Sequence, residues 1–160
     1  MKISEGVEWA AHACALLAAL PEGVALNATA VAAFHELPKA YMAKHLQALA
    51  KAGVVRSIRG AQGGYRLARP ASEISLWDVR CAIEGPGPDF RCSEIRSKGP
   101  CATRTSPTRA CAIARAFWDA ERVFRDQLRT ATIADIVITV AADYGPEGID
   151  RVASWLRSVS

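Results

Sequence analysis

Residues Val54 to Leu67, VVRSIRGAQGGYRL, constrain the fold more than any other stretch of this chain. Two short β-prone runs flank a glycine-rich tip, Gly60-Ala61-Gln62-Gly63-Gly64, which predicts a hairpin with basic flanks. The segments on either side carry helical periodicity, so the hairpin is expected as an appendage to helices rather than as part of a sheet. Before it stand three short helical patterns. Ser4 can cap a helix running to about Leu20, where Pro21 and Gly23 end it, and Asn27 can cap a second helix from Ala28 to His35. Pro38 separates that helix from a third, about Lys39 to Ala52, with Met42, Leu46, Leu49 and Ala50 at helical spacing and a stop at Gly53. Three short helices joined by tight turns, the last one basic, make a helix-turn-helix unit, and a hairpin attached to it is a wing. The expected fold class is mainly α with a small β-hairpin wing: a winged helix-turn-helix followed by a long dimerisation helix.

Charge supports that reading by its position. Between Pro38 and Ser72 the chain holds seven basic residues (Lys39, Lys44, Lys51, Arg56, Arg59, Arg66, Arg69) and no Asp or Glu. Solvated faces usually mix both signs; a one-signed block on a folded, patterned segment marks a surface for a polyanion. Double-stranded DNA is the expected partner. Contacts are expected from Pro38, Lys39, Tyr41 and Lys44 of the third helix, and from Arg56, Arg59, Gly60, Gln62 and Gly63 of the wing. A tip without side chains lets backbone approach phosphates or enter a minor groove.

Half of the chain, 51%, is apolar, which excludes disorder as its main state. The longest apolar run, around Val7 to Leu20, is too short to span a bilayer and contains Glu8 and His12. No basic start or cleavage pattern marks a secretion signal, so a cytoplasmic protein with no membrane partner is expected. The chain shows no base or phosphate motif of an enzyme, and none of its residues is assigned a catalytic role.

Downstream, Ser75 can cap a helix from Leu76 to about Glu84, and residues 85–107 then turn to Gly, Pro, Ser, Arg and Cys. A loop that long in a compact domain is usually functional. A long helix is expected from near Pro107, with an apolar stripe at Ile113, Phe117, Ala120, Phe124 and Leu128 and with Trp118 and Val123 off it. That much apolar surface suggests a homodimer seam, with intrachain packing against helices near 132–142 and 146–159 as the other use. Residues 1–84 are thus read as the DNA-binding domain, 85–107 as a cysteine-bearing loop and 108–160 as the dimerisation and C-terminal helices.

Five cysteines are an odd number in a chain without an export signal, which disfavours a disulfide framework. Cys14 and Cys81 lie in apolar helical patterns and read as small buried hydrophobes. Cys92, Cys101 and Cys111 have eight and nine residues between them, which fits no zinc finger because those sites need a close ligand pair. Such spread thiols suit an iron–sulfur cluster, whose protein frame is less stereotyped, and spacing alone leaves that open against free thiols. Glu8 and His12, four residues apart in VEWAAHA, project from one face of the first helix, with Trp9 between them. An ordinary surface pair is the plain reading of those two.

The segment PKAYMAKHLQALAKAGVVRSIRGAQGGYRLARPASEISLWDVRCAIEG, Pro38 to Gly85, resembles the winged-helix iron–sulfur regulators that include IscR, NsrR and RsrR, and the likeness extends from Met1 to about Leu128. The resemblance implies a homodimeric redox-responsive transcription regulator with cluster ligands shared between subunits. IscR-like members use a histidine after the third cysteine, and none follows Cys111 here. NsrR-like members hold a 4Fe-4S cluster by three cysteines and a carboxylate on helix one, where Glu8 stands. RsrR-like members take a glutamate and a histidine from helix one plus two cysteines, which this chain matches more closely. A 2Fe-2S cluster held by Glu8, His12, Cys92 and Cys111 is therefore expected, with Cys101 as reserve ligand. Cys92 and Cys111 are preferred because each adjoins a helix, whereas Cys101 follows Gly99-Pro100 in mid-loop. Trp9, beside both helix-one ligands, is expected to act as the redox switch, the oxidised form binding DNA more tightly. The alternatives are a 4Fe-4S nitric-oxide-sensing repressor using three cysteines and Glu8, and a cluster-free regulator switched by its thiols. His35 and His45 read as helix or phosphate-facing residues, and Trp77 and Trp155 as core.

Overall fold

The computed structural model describes residues 3–60, 63–100, 102 and 108–159. Six α-helices, two single-turn 3-10 helices and one two-stranded antiparallel hairpin make up the regular structure of these residues. Helix α1, Glu5–Ala18, buries Val7, Ala10, Ala13, Cys14 and Leu17 at three- and four-residue steps, so one face is core and the other is free. Ser4 stands at its N-cap, but its side chain makes no capping bond; its backbone N–H donates instead to Glu84 Oε1 at 3.0 Å. Helix α2, Ala28–Phe34, is capped by Asn27, whose Oδ1 accepts from Ala30 N. Helix α3, Lys39–Lys51, starts behind Pro38 and turns Met42, Leu46 and Leu49 fully inward.

Strands β1, Val55–Ile58, and β2, Gly64–Leu67, pair in the register Val55 with Leu67 and Arg56 with Arg66. A third piece of extended chain locks the hairpin to the helices: Tyr65 and Leu26 exchange both backbone bonds, at 2.7 and 3.1 Å. Gly64 makes this possible, because a Cβ there would lie 2.4 Å from the Leu26 carbonyl oxygen. Helix α4, Leu76–Glu84, begins with a reciprocal capping box between Ser75 and Asp78.

The long helix α5, Ala112–Thr130, starts later than the sequence suggests. Pro107 lies outside the described residues; Thr108 to Ala110 form a bend, and Cys111 occupies the N-cap. Its predicted stripe is largely uncovered in the single chain, with Ile113 65% and Phe117 49% exposed and Ala120 exposed. The face turned to the body carries Ala114 and a buried carboxylate, Glu121. Helix α6, Ile133–Val159, breaks at Gly145 (φ 63°) before Pro146, matching the two expected C-terminal helices. It packs back on α1, seating Ile133 and Leu156 in the core and Trp155 against Phe34 at 4.7 Å. The chain also pairs Ser75 with Thr132, so α6 starts where α4 starts.

Candidate functional site

Two surfaces carry the residues singled out in the sequence. The first is the recognition helix with its wing. Pro38, Lys39, Tyr41 and Lys44 are exposed on the first turns of α3, and Arg56, Arg59 and Gly60 are exposed on the wing. Among the described residues none of Lys39, Lys44, Arg56 or Arg59 forms an ion pair. Arg56 faces Arg66 across the ladder, a like-charge pair of the kind that costs a hairpin stability. Arg69 departs from this pattern: it pairs with Asp78 at 3.0 Å and donates to Glu73 O, so it belongs to the scaffold. Gly63 is half-buried because its N–H closes on Gly60 O at 2.9 Å, and a Cβ there would lie 2.4 Å from Ile58 O. Gln62 lies outside the described residues.

The second surface begins on α1. Glu8 and His12 are exposed on the face opposite the core. Trp9 is half-buried between them and the recognition helix, edge-on to Tyr41 at 6.3 Å and to His45 at 6.1 Å. Trp9, His12, His35 and Leu37 line an open cleft of about 170 Å³. His35 lies 5.5 Å from His12 in ring centroids; burial, and then the charge of His12, hold its imidazole below its ordinary pKa. Of the two readings of His45, helix residue or phosphate-facing, the structure has the first: it is half-buried and packs over Gly6, where a Cβ would meet its ring at 2.8 Å. Burial, and then Lys44, lower its pKa.

The cysteines divide as their surroundings dictate. Cys14 is wholly buried in α1, and burial pushes its thiol up to about 12, so it is inert. Cys92 is exposed, its Sγ accepting from Glu94 N at 3.4 Å. The Cys111 side chain closes no capping bond at the start of α5. The N–H groups of Ala114 and Ile113, and then the charge of Arg96, still hold its thiol below the usual range. The same guanidinium pairs with Glu94 and donates to Arg109 O at 3.1 Å, closing the loop between the two thiols. Cys101 lies outside the described residues.

Glu8 and His12, and Cys92 and Cys111, are two separate pairs of donors: among the described residues no three His, Cys, Asp or Glu side chains of one chain gather as a metal site. The donor types suit an iron–sulfur cluster, with exposed Glu and His oxygen and nitrogen on one surface and two accessible thiols on the other.

What the sequence does not reveal is a buried polar network between α4 and α5. Arg80 of α4 is 4% exposed and Glu121 of α5 is 3% exposed. Arg80 pairs with Glu84 and Asp89, and Glu121 pairs with Arg125. Trp77, expected in the core, is instead half-exposed, with the guanidinium groups of Arg80, Arg125 and Arg129 over its ring at 5.0–5.4 Å. No described helix is long and apolar enough to cross a membrane.

A basic recognition helix, a wing pinned to it and a long protruding helix define a winged helix-turn-helix DNA-binding regulator of transcription. The chain belongs to the Rrf2 family, described as iron-dependent transcriptional regulators, which it matches over residues 3–139. It is 32% identical over 162 residues to Rv1287 of Mycobacterium tuberculosis, named as a helix-turn-helix-type transcriptional regulator, covering 99% of this chain and 92% of that protein. Among solved structures, T. potens IscR superposes with a TM-score of 0.66 at 23% identity, covering 88% of each chain. The oxidised form of Staphylococcus aureus CymR superposes at 0.64 with 27% identity, covering 86% of this chain and 96% of that one.

Proposed function

We propose that the protein is a redox-responsive regulator of the RsrR type, binding operator DNA as a homodimer and holding a 2Fe-2S cluster at each of two composite sites. Glu8 and His12 of one subunit and Cys92 and Cys111 of the other are the ligands. The observation that carries this reading is the division of the donors: each pair is accessible and incomplete, and the cysteine pair adjoins the uncovered stripe of α5. A second copy on that stripe supplies what each half lacks. Lys39, Tyr41 and Lys44 enter the major groove, and Arg56, Arg59 and the glycine tip, with Gln62, follow the backbone beside it. A repulsive Arg56–Arg66 pair is tolerable in a wing that meets phosphate.

The cluster would supply a one-electron couple, and a mixed Cys, His and Glu ligand set raises its potential and admits a titratable ligand. The chain's own part is transmission. Trp9 stands between the α1 ligands and touches two residues of the recognition helix, so a change of charge beside it reaches Tyr41 and His45 by contact. The oxidised form is the tighter binder, and differential contact in the two states is what produces that difference.

A second reading is a thiol switch without a cluster. It is favoured by the lowered pKa of Cys111, and by likeness to a CymR structure described as an oxidised form. A 4Fe-4S cluster on three cysteines and Glu8 is the remaining alternative. Anaerobic purification followed by absorption, EPR and iron analysis separates them. The 2Fe-2S reading requires two irons per subunit, retained in Cys101→Ala and lost in Cys92→Ala and Cys111→Ala. A colourless protein supports the thiol switch, and four irons lost in all three variants support the 4Fe-4S form.

A further inference from the structure

Cys92 follows Gly85-Pro86-Gly87-Pro88-Asp89-Phe90-Arg91, a stretch with two glycines, two prolines and no regular structure. Left to itself, such a segment would not hold a thiol in place. Here several of its polar groups are tied to a helix. Arg80 of α4 donates to Gly85 O at 2.7 Å and to Gly87 O at 3.4 Å, and pairs with the Asp89 carboxylate. Glu121 of α5 accepts from Asp89 N at 3.0 Å and from Phe90 N at 3.4 Å, while the Phe90 ring stacks on Phe117 at 4.7 Å.

Both amides meet Glu121, while the Phe90 ring reaches Phe117, one turn nearer the N-terminus of α5. From Phe117 back to Cys111 is six residues, about 9 Å of helix. From Phe90 to Cys92 is two residues of extended chain, about 7 Å. Cys92 is thereby tethered two residues from a contact with the N-terminal half of α5, the half that follows Cys111. Burying a charged network is a weak way to stabilise a fold, since desolvation offsets most of the attraction. Fixing a geometry is a use that suits it better.

We propose that Glu121, with Arg80, is a positioning residue for Cys92: the pair clamps residues 85–90 between α4 and α5 so that the Cys92 thiol is presented beside Cys111. This rests on the reading of Cys92 and Cys111 as cluster ligands. Glu121 touches neither thiol; it acts through the Asp89 and Phe90 amides.

The test is Glu121→Gln in the anaerobically purified full chain, compared with wild type by amide hydrogen exchange, iron content and EPR after reduction with dithionite. Gln keeps the size of Glu121 but lacks the charge that serves both amides and Arg125. Exchange at Asp89 and Phe90 should rise about tenfold, in line with the loss of a charge-assisted hydrogen bond. Iron per subunit should fall at least twofold, or the EPR g values should shift. Unchanged exchange overturns the clamp, and faster exchange with identical iron content and EPR overturns its role toward Cys92. If Glu121→Gln fails to fold by circular dichroism, Asp89→Asn, which removes the carboxylate held by Arg80 but keeps both amides, is judged by the same readouts. A wild type without chromophore or iron sinks the cluster reading itself, before any variant is compared.

Discussion

Trp9→Ala separates a transmitting role for the indole from a merely structural one. In the structure Trp9 meets Tyr41 and His45 edge-on, with centroids 6.3 and 6.1 Å away. Both distances lie in the outer part of the range for aromatic pairs, so each contact is worth about 0.5 kcal/mol, the low end of measured values. Losing both amounts to about 1 kcal/mol, or about fivefold in an equilibrium constant. If these contacts carry the state of the site to α3, oxidised wild type binds operator about fivefold more tightly than dithionite-reduced wild type, and Trp9→Ala brings the two affinities together. Trp9→Phe, which keeps a smaller ring in place, lies between. The assay is operator binding by fluorescence anisotropy in both redox states, with iron content matched across variants. Were Trp9 only packing, the alanine variant would lower both affinities or the melting temperature and leave their ratio untouched. Equal affinities of the two wild-type states refute the redox switch, and a variant that switches fully clears Trp9.

Three further outcomes are expected. Arg59→Ala should weaken operator binding and reduce the slope of log K against log salt by about 1, without changing dimer mass; an unchanged slope removes this wing residue from the phosphate contacts. Ala120→Glu, on an exposed position of the α5 stripe, should leave the fold intact by circular dichroism and yield a monomer in sedimentation. Ser75→Ala should cost about 1 kcal/mol at neutral pH in urea unfolding, from the lost cap of α4. Burial alone would raise the Asp78 carboxyl, but the bonds from Ser75 and then the charge of Arg69 outweigh it and hold its pKa low. That stabilisation is present above the ordinary carboxylate range and lost as pH falls through the depressed value. The difference between wild type and Ser75→Ala should accordingly shrink below about pH 4, and a difference independent of pH refutes the coupling.

The helix-turn-helix and wing were legible because their signals are local. Asn27 before Ala28, the Met42, Leu46, Leu49 spacing and the glycine tip each describe a few adjacent residues, and the elements appear within one or two positions of their expected ends. Glu8 and His12 fall on the free face of α1 for the same reason: the apolar period that buries Ala10 and Ala13 leaves them out. The start of α5 was misplaced because Pro107 is a good first helical residue by composition, whereas the helix begins at Ala112, behind Cys111. The clamp was invisible for a different reason. A glutamate on a long helix reads as solvated, and nothing local tells that amides 31 and 32 residues upstream will need it as an acceptor. The Leu26–Tyr65 bridge escaped likewise, since two residues of extended chain between helices have no period to detect.

The pairing of Ser75 with Thr132 carries a consequence for how such a chain diversifies. Leu76 N donates to Ala131 O and Ile133 N donates to Ile74 O, so the chain returns after α5 to the place where α4 began. The chain from Ser75 to Thr132 is thus closed at its base, and the part beyond α4 forms an excursion from that base. Lengthening, shortening or re-equipping an excursion of this kind leaves the walls around the reading head untouched, because α6 still closes the core with Ile133 and Leu156. One DNA-reading body can therefore accept different sensory chemistries on the same detour, each inheriting α5 as its return path.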